Sequence, residues 1–562
     1  MVKNFIKNGT NLFLSKQNSI LSAAAILMVM VLSSRLLGLV RDRLLAGAFF
    51  AGGAQWQLDV YFAAFRIPDM VFQLLVMGAL SAAFIPVYSS YLKKDSKQSW
   101  DLVNGVISFS VIGFIILAIL IYFFSHQLCK LLAPNFTPQQ IDLMVTLTRF
   151  MLLAQFFFMI SNFFTGVLQS NKRFLVPAIV PVLYNLGIIL GILWLSPIFG
   201  IYGPTIGVVI GSILHLLVQY PLVRKLGFGF HFNFDSKNIG IRKIGKLMIP
   251  RTGALAVNQI ELNVAVILAS AMSAGSLSIF NFAEHLNAVP VGLFGLTIGQ
   301  AALPMLSQEV DDSKSNQKFR QLFLTSFKHI LYFALPASAL LLVLRIPLVR
   351  IAFGAKAFPW EATLLTGKVL AVFSLSIAAQ AIIQLLVRAF YALQDTVTPL
   401  KLGIVSVLVN VGLSFLFTKG FGWQISSLAL AITIASIIQA ILLFFILENR
   451  IGRFSKQECF TPIAKMLFAS FFTGVFLWLP MRFLDKYVLN TSKVLDLIIL
   501  TIIASISGFG VYFILSRLMH IEELGHFMGI FKRFGNWQKL LGQSDEMLTD
   551  GASPEPAITS QD

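Results

Sequence analysis

"SRLLGLVRDRLL", residues 34–45, places Arg35, Arg41, Asp42 and Arg43 directly after "ILSAAAILMVMVL" (20–32), an apolar run that begins a membrane span. A charge near the bilayer centre costs about 2.5–3.5 kcal/mol, and each Leu, Ile or Val returns only about 0.3–0.6 kcal/mol. Four charges facing lipid in one span would cost on the order of 10 kcal/mol. These side chains must therefore face water, a partner or the headgroup zone. On a helix, Arg35, Gly38 and Asp42 share one face, and Arg41 lies at its edge, about 9 Å along the axis from Arg35. Gly38 leaves a gap where something can approach. For Arg41, Asp42 and Arg43 the alternative is an Arg–Asp pair snorkelling at a helix end. That alternative suits Arg35 less, because Arg35 is deeper in the span.

The next span repeats the pattern. In "DVYFAAFRIPDMVFQLL" (59–75), Asp59 and Arg66 are seven residues apart and share a face, and Pro68 predicts a kink just after Arg66. Asp59 also suits a solvated helix start, and Asp69 a neutralising neighbour for Arg66. Further on, "IPRTGALAVNQIELN" carries Arg251 and Glu261, and "NFAEHLNAVP" carries Glu284 and His285. Arg251, beside Pro250, suits a headgroup anchor. A buried histidine such as His285 is often simply hydrogen-bonded. Arg35, Arg41 and Arg66 together outline a cationic cavity, and the guanidinium fork matches phosphate. A wet cationic cavity inside lipid suits an anionic headgroup whose tail stays in the bilayer. No Walker loop, metal cluster or nucleophile triad is present, so an enzyme is not expected and no cofactor is implied.

The whole chain shares this character. Its 562 residues are 57% hydrophobic and 12% charged, with mean hydropathy +0.81. Soluble domains are nearer 25% charged. We expect an all-α polytopic membrane protein with about 14 spans, near 20–48, 58–91, 100–128, 140–168, 174–197, 202–223, 244–272, 276–307, 318–346, 362–393, 398–418, 424–447, 462–482 and 495–517. The net charge of +18 is not a nucleic-acid signal, because the basic residues concentrate in alternate short loops. Loops 49–57, 198–201 and 273–275 are nearly free of Lys and Arg, while 347–361 and 483–494 carry mixed charges. That pattern puts both termini in the cytoplasm. Residues 1–19 are polar and basic, with no cleavage site after the first apolar run. Cys129 and Cys459 fall on opposite sides of the membrane, so no disulfide is expected.

"LQSNKRFLVPAIVPVLYNLG" from Leu168 and "LQDTVTPLKLGIVSVLVNVG" from Leu393 both run from L-Q to N-x-G, ending at Asn185/Gly187 and Asn410/Gly412. "AAFIP" (82–86) and "AALP" (301–304) echo them about 220 residues apart. We expect two pseudo-symmetric six-helix lobes, 20–223 and 244–447, joined by a linker at 224–243 and followed by two further helices in 448–517. Residues 518–562 form a tail, first interfacial in "HFMGIFKRFGNWQKLL" and then acidic and disordered.

"SRLLGLVRDRLLAGAFFAGGAQWQLDVYFAAFRIPD" (34–69) resembles the amino terminus of the MurJ (MviN) lipid II flippases, in the multidrug/oligosaccharidyl-lipid/polysaccharide exporter superfamily. The R-x-x-G-x-x-R-D and D-x-x-F-x-A-x-R-I-P motifs carry the resemblance. "LAPNF" (132–136), "GVLQSNKRFLVPAIVPVLYN" (166–185), "GVVIGSILHLLVQYPLV" (207–223) and "PVGLFGLTIGQAALPMLSQ" (290–308) extend it. The resemblance implies 14 helices in two lobes and outward movement of an undecaprenyl-pyrophosphate-linked peptidoglycan precursor by alternating access. It carries substrate roles onto Arg35, Arg41 and Asp59. Our candidate substrate-binding set is Arg35, Arg41, Asp42, Asp59, Arg66, Glu284 and His285. The expected partners are membrane lipids and a lipid-linked anionic substrate, with the chain a monomer in the bacterial cytoplasmic membrane. Three places depart from the family pattern: Phe72 and His285 stand where arginines are usual, and Met77 where a glutamate is. The place of a sodium-binding acid in some members is Ala265, with Glu261 one turn earlier, and no ion site is inferred. Another lipid-linked saccharide or an amphipathic molecule is the alternative cargo, and a non-transporting scaffold of cell-wall synthesis the alternative class.

Overall fold

The computed structural model describes residues 20–50, 53–77, 84–92, 96–309, 317–354, 358–452 and 454–525. The readings made for the amino-terminal segment and for the tail beyond 525 lie outside these residues, as do those for the side chains of Met77 and Arg251. The described residues are helical with no strand.

In chain order, α1 is Ile20–Phe49. The second stretch, α2, is interrupted: Gln55–Ala64, Arg66–Phe72, a π-helical turn at Gln73–Met77, and Ile85–Leu92. Then follow α3 (Ser96–Leu132), α4 (Pro138–Ser170), α5 (Leu175–Phe199) and α6 (Tyr202–Lys225). The next set is α7 (Ile239–Ala269), α8 (Ser276–Gln308) and α9 (Gln317–Val343). A bent pair, Trp360–Ser374 and Ile377–Ala392, makes α10. Last come α11 (Val397–Gly420), α12 (Ser426–Ile451), α13 (Lys456–Tyr487) and α14 (Val494–Leu518). Among the described residues, ten helices are long and apolar enough to cross a membrane, or eleven with α10 taken as one span. About 14 were expected; α1, α2 and α7 stand as helices in the other three expected places.

Local chemistry sets the boundaries. Thr137 and Gln140 form a reciprocal capping box ahead of α4, with Pro138 at the first helical position. Ser455 and Glu458 do the same for α13. In α2 the break falls at Phe65, ahead of Arg66 rather than after it. Pro68 lies in the first turn of the new helix, where its missing N–H costs nothing. The stretch 347–361, expected as a loop, begins inside a short helix at Arg345–Phe353.

π-helical turns occur at Gln73–Met77 in α2 and Val291–Leu296 in α8, and at Gly191–Leu195 in α5 and Leu416–Gly420 in α11. Each pair recurs at roughly the spacing of the sequence repeat. Measured from these turns, Asn185 and Asn410 are equivalent. The L-Q ends keep the same spacing to the turns, although Leu168 lies within the last turn of α4 and Leu393 follows the end of α10. Cys129 and Cys459 are both free and buried.

α5 and α6 meet through glycine. A Cβ on Gly187 would lie 2.5 Å from the Gly211 Cα, and one on Gly207 would lie 2.7 Å from the Gly187 carbonyl oxygen. Without side chains the two backbones touch, which is how membrane helices associate where no hydrophobic drive exists. That contact fixes the face α5 turns to α1. Gly207→Val should push α5 from α6 at an overpacking cost of about 1–3 kcal/mol. The expected result is a lowered thermal unfolding midpoint in detergent, while Gly113→Ala, which meets nothing within 4 Å, leaves it in place.

Candidate functional site: a charged chamber between α1, α2, α5 and α8

Asp42 is 1% exposed, and both its oxygens are engaged. Arg41 donates to Oδ1 from Nε at 3.0 Å and from Nη2 at 2.8 Å. His285 Nδ1, from α8, donates to Oδ2 at 2.7 Å. Arg41 also reaches α5, where Nη1 donates to Asn185 Oδ1 at 3.2 Å. Asn185 Nδ2 in turn donates to the Ser34 carbonyl at 3.3 Å and to its own helix at Pro181. The Arg–Asp pair of α1 thus forms, but as part of a network joining three helices. Gly38 sits opposite Asn185, where a Cβ would stop 3.9 Å from Oδ1.

Arg66 crosses from α2 to α8, where Nη2 donates to Asn281 Oδ1 at 3.2 Å. Asn281 is held by its own helix, Nδ2 donating to the Leu277 carbonyl at 2.7 Å. Arg41, Arg66, Asp69, Tyr184, Asn281 and His285 line a chamber of about 190 Å³, together with apolar residues of α1, α2 and α5. It is walled by both halves of the chain.

The other candidates sit elsewhere. Asp59 does not line the chamber; it caps α8. Its Oδ2 accepts the Gly275 N–H at 2.6 Å, and its Oδ1 accepts the Ser278 N–H at 2.8 Å and the Ser278 hydroxyl at 2.6 Å. A carboxylate at a helix N-terminus meets orphan N–H groups and the positive end of the dipole. Gly275 holds φ +91°, which suits a residue without Cβ. Arg35 lies against Gly292 in the π-helical turn of α8, and Glu284 lines a different pocket. Arg43 donates to the Ile351 carbonyl of the short helix. Phe72 packs edge-on to Phe158, with centroids 6.2 Å apart. Arg149 rests on the Tyr122 ring at 4.2 Å and donates to Ser125 Oγ; Arg388 donates to Gln384 one turn back.

Sequence reasoning assigned no role to Asn185, Asn281, Ser278 or Asn410. The repeated N-x-G was a signal for two of them. In the second half Asn410 Nδ2 donates to Glu261 Oε1 at 2.8 Å, in the place where Asn185 accepts from Arg41 in the first.

A helical membrane protein in two similar halves, with Arg41, Arg66 and His285 meeting in a chamber between them, has the build of a transporter. Residues 19–497 match a family model described as lipid II flippase MurJ. A probable lipid II flippase MurJ of Buchnera aphidicola subsp. Acyrthosiphon pisum is 30% identical over 421 residues, 74% of this chain and 81% of that one. The lipid II flippase MurJ of Burkholderia cenocepacia is 28% identical over 434 residues, 75% and 82% of the two chains. The solved structure of a lipid II flippase MurJ in an inward closed conformation aligns with a TM-score of 0.74 at 26% identity, covering 89% of this chain and 99% of that one. A Vibrio cholerae MATE transporter, VcmN, shares the fold, with a TM-score of 0.56 at 17% identity over 77% of this chain and 98% of that one. The chain belongs to the MurJ family of lipid II flippases.

Asp59→Ala should free the first turn of α8 from α2. Hydrogen bonds to a charged group contribute about 1.5–3 kcal/mol, and 1.4 kcal/mol is a tenfold shift in an equilibrium. A cysteine at Ile188, on the chamber wall, should then react at least tenfold faster with a water-soluble thiol reagent. An unchanged rate would mean that Asp59 does not hold the chamber shut.

Proposed function

We propose that this protein is a lipid II flippase, moving the undecaprenyl-pyrophosphate-linked peptidoglycan precursor from the inner to the outer leaflet of the bacterial cytoplasmic membrane by alternating access. The observation that carries this reading is the chamber itself, with two guanidinium groups, Arg41 and Arg66, on one wall and an imidazole, His285, on the other. A pyrophosphate is met there by planar donor forks. Its polyprenyl tail stays among the helices, in lipid.

The lobes are 20–223 and 244–447, with 224–243 as linker, and they rock against each other. Both termini face the cytoplasm, as the basic loops favour. On that orientation the Asp59 cap of α8 lies on the external side, beside the charge-poor 273–275 loop. Outward opening then exchanges protein hydrogen bonds at Asp59, Gly275 and Ser278 for water. The Asp42–His285 bond also crosses between lobes, so the same motion releases His285 toward the cavity.

A second reading, export of another lipid-linked saccharide, draws on Phe72. That position carries an aromatic ring packed on Phe158 and adds no cation to the chamber.

Complementation of a cell depleted of its own lipid II flippase separates the two. Wild type should restore growth, and Arg41→Ala and Arg66→Ala should fail to do so at equal membrane levels. Arg66→Lys keeps a charge but loses the fork, so partial rescue is expected. Absence of rescue by wild type would favour the other-saccharide reading.

A further inference from the structure

We propose that the face of α8 turned toward α10 is a second subsite beside the chamber, one that takes the peptide portion of the lipid-linked headgroup; this rests on the flippase reading above. α8 has two working faces. Asn281 and His285, one turn apart, belong to the anion chamber. Glu284, Asn287, Ala288 and Val291, spaced i, i+3, i+4, i+7, line a separate pocket of about 210 Å³. Gln380 and Gln384 of α10, again one turn apart, form its opposite wall.

The chemistry of this pocket differs from that of the chamber. It holds one carboxylate and three side-chain amides, and no aromatic ring is among its lining residues. Asn287 is 3% exposed, and its Oδ1 is buried with no donor among the described residues. Its Nδ2 donates to Gln380 Oε1 at 3.3 Å, and Gln380 Nε2 donates to Ser376 Oγ at 2.8 Å, so the wall is held in place from behind. Glu284 makes no ion pair among the described residues. At the far end Arg35 of α1 lies on Gly292, where a Cβ would come within 2.7 Å of Nη2. Two turns of helix, about 12 Å, separate Glu284 from Gly292.

An acid and three amides on the walls, with the Arg35 guanidinium beyond them against the backbone of Gly292, match a peptide with a free ammonium and a free carboxylate. Side-chain amides both donate to and accept from peptide groups, and the orphan oxygen of Asn287 calls for an N–H. A saccharide would be expected to stack on an aromatic ring, and the pocket has none. Adjacent residues of α8 thus divide the headgroup, phosphates on the His285 side and peptide on the Glu284 side.

The test is equilibrium binding to the full-length protein in lipid nanodiscs. The probes are two polyprenyl-pyrophosphate disaccharides, one bearing a peptide with free amine and carboxylate and one without peptide. Wild type should bind the peptide-bearing probe at least about tenfold more tightly, the loss expected for one charge-assisted hydrogen bond. Glu284→Gln and Gln384→Ala, with unfolding midpoints matching wild type, should reduce that preference to about twofold or less and leave the peptide-free probe unaffected. Equal wild-type affinities, or an equal loss for both probes in the variants, would overturn the subsite and leave the flippase reading standing. If wild type binds neither probe, both readings fail.

Discussion

Every ionised oxygen that this fold buries within the membrane must find a donor there, and two carboxylates of the first half find theirs on α8. Asp42 takes His285, and Asp59 takes the open first turn. Removing one partner of a buried charge pair typically costs about 3–5 kcal/mol, because the other charge is left unpaired. The two halves are therefore held at their shared face by bonds that water could replace but lipid could not. Packing alone would supply no such condition, since apolar side chains lose little by exchanging protein neighbours for acyl chains. An interface of this kind is stable when closed and can open once water enters, which is the behaviour alternating access requires.

The pseudo-symmetry of the halves extends to backbone irregularities and stops at charge. π-helical turns recur in α2 and α8, and in α5 and α11, so the widened turns belong to the architecture. Six residues before the turns of α5 and α11 stands an asparagine. In the first half it accepts from Arg41, and in the second it donates to Glu261. An asparagine side chain can do either, so one scaffold position serves a cation in one lobe and an acid in the other. The acids of the second half, Glu261 and Glu284, stand outside the chamber, to which that half contributes Asn281 and His285.

The fold was legible because long apolar runs admit few solutions in a bilayer. The charges of α1 and α2 stood out for the same reason, being too costly to leave in lipid. Their partners were harder to see. Asp59 and Arg66 share a helical face, and both turn it to α8, Asp59 to Gly275 and Ser278 in its first turn and Arg66 to Asn281 one turn further along. Pro68 signalled a disturbance in α2 without locating it, because a proline suits the first turn of a new helix as well as a kink. The role of Asp59 as the cap of α8 was hidden because two of its three donors are backbone N–H groups, which carry no residue identity. Arg43 was conspicuous and yet satisfies only a carbonyl of the neighbouring short helix.

The winding of α8 explains how one helix serves two pockets. An α-helix advances 100° per residue, so Glu284 and His285 already point to different walls. At Gly292, in the first residues of the π-helical turn, α8 offers bare backbone to the guanidinium of Arg35. Arg35 can then lie against α8, outside the chamber that Arg41 and Arg66 share. The arginine that opens the R-x-x-G-x-x-R-D motif therefore lies on α8 at Gly292, whereas the one that closes it reaches Asn185 of α5 and leaves His285 of α8 to the adjacent Asp42.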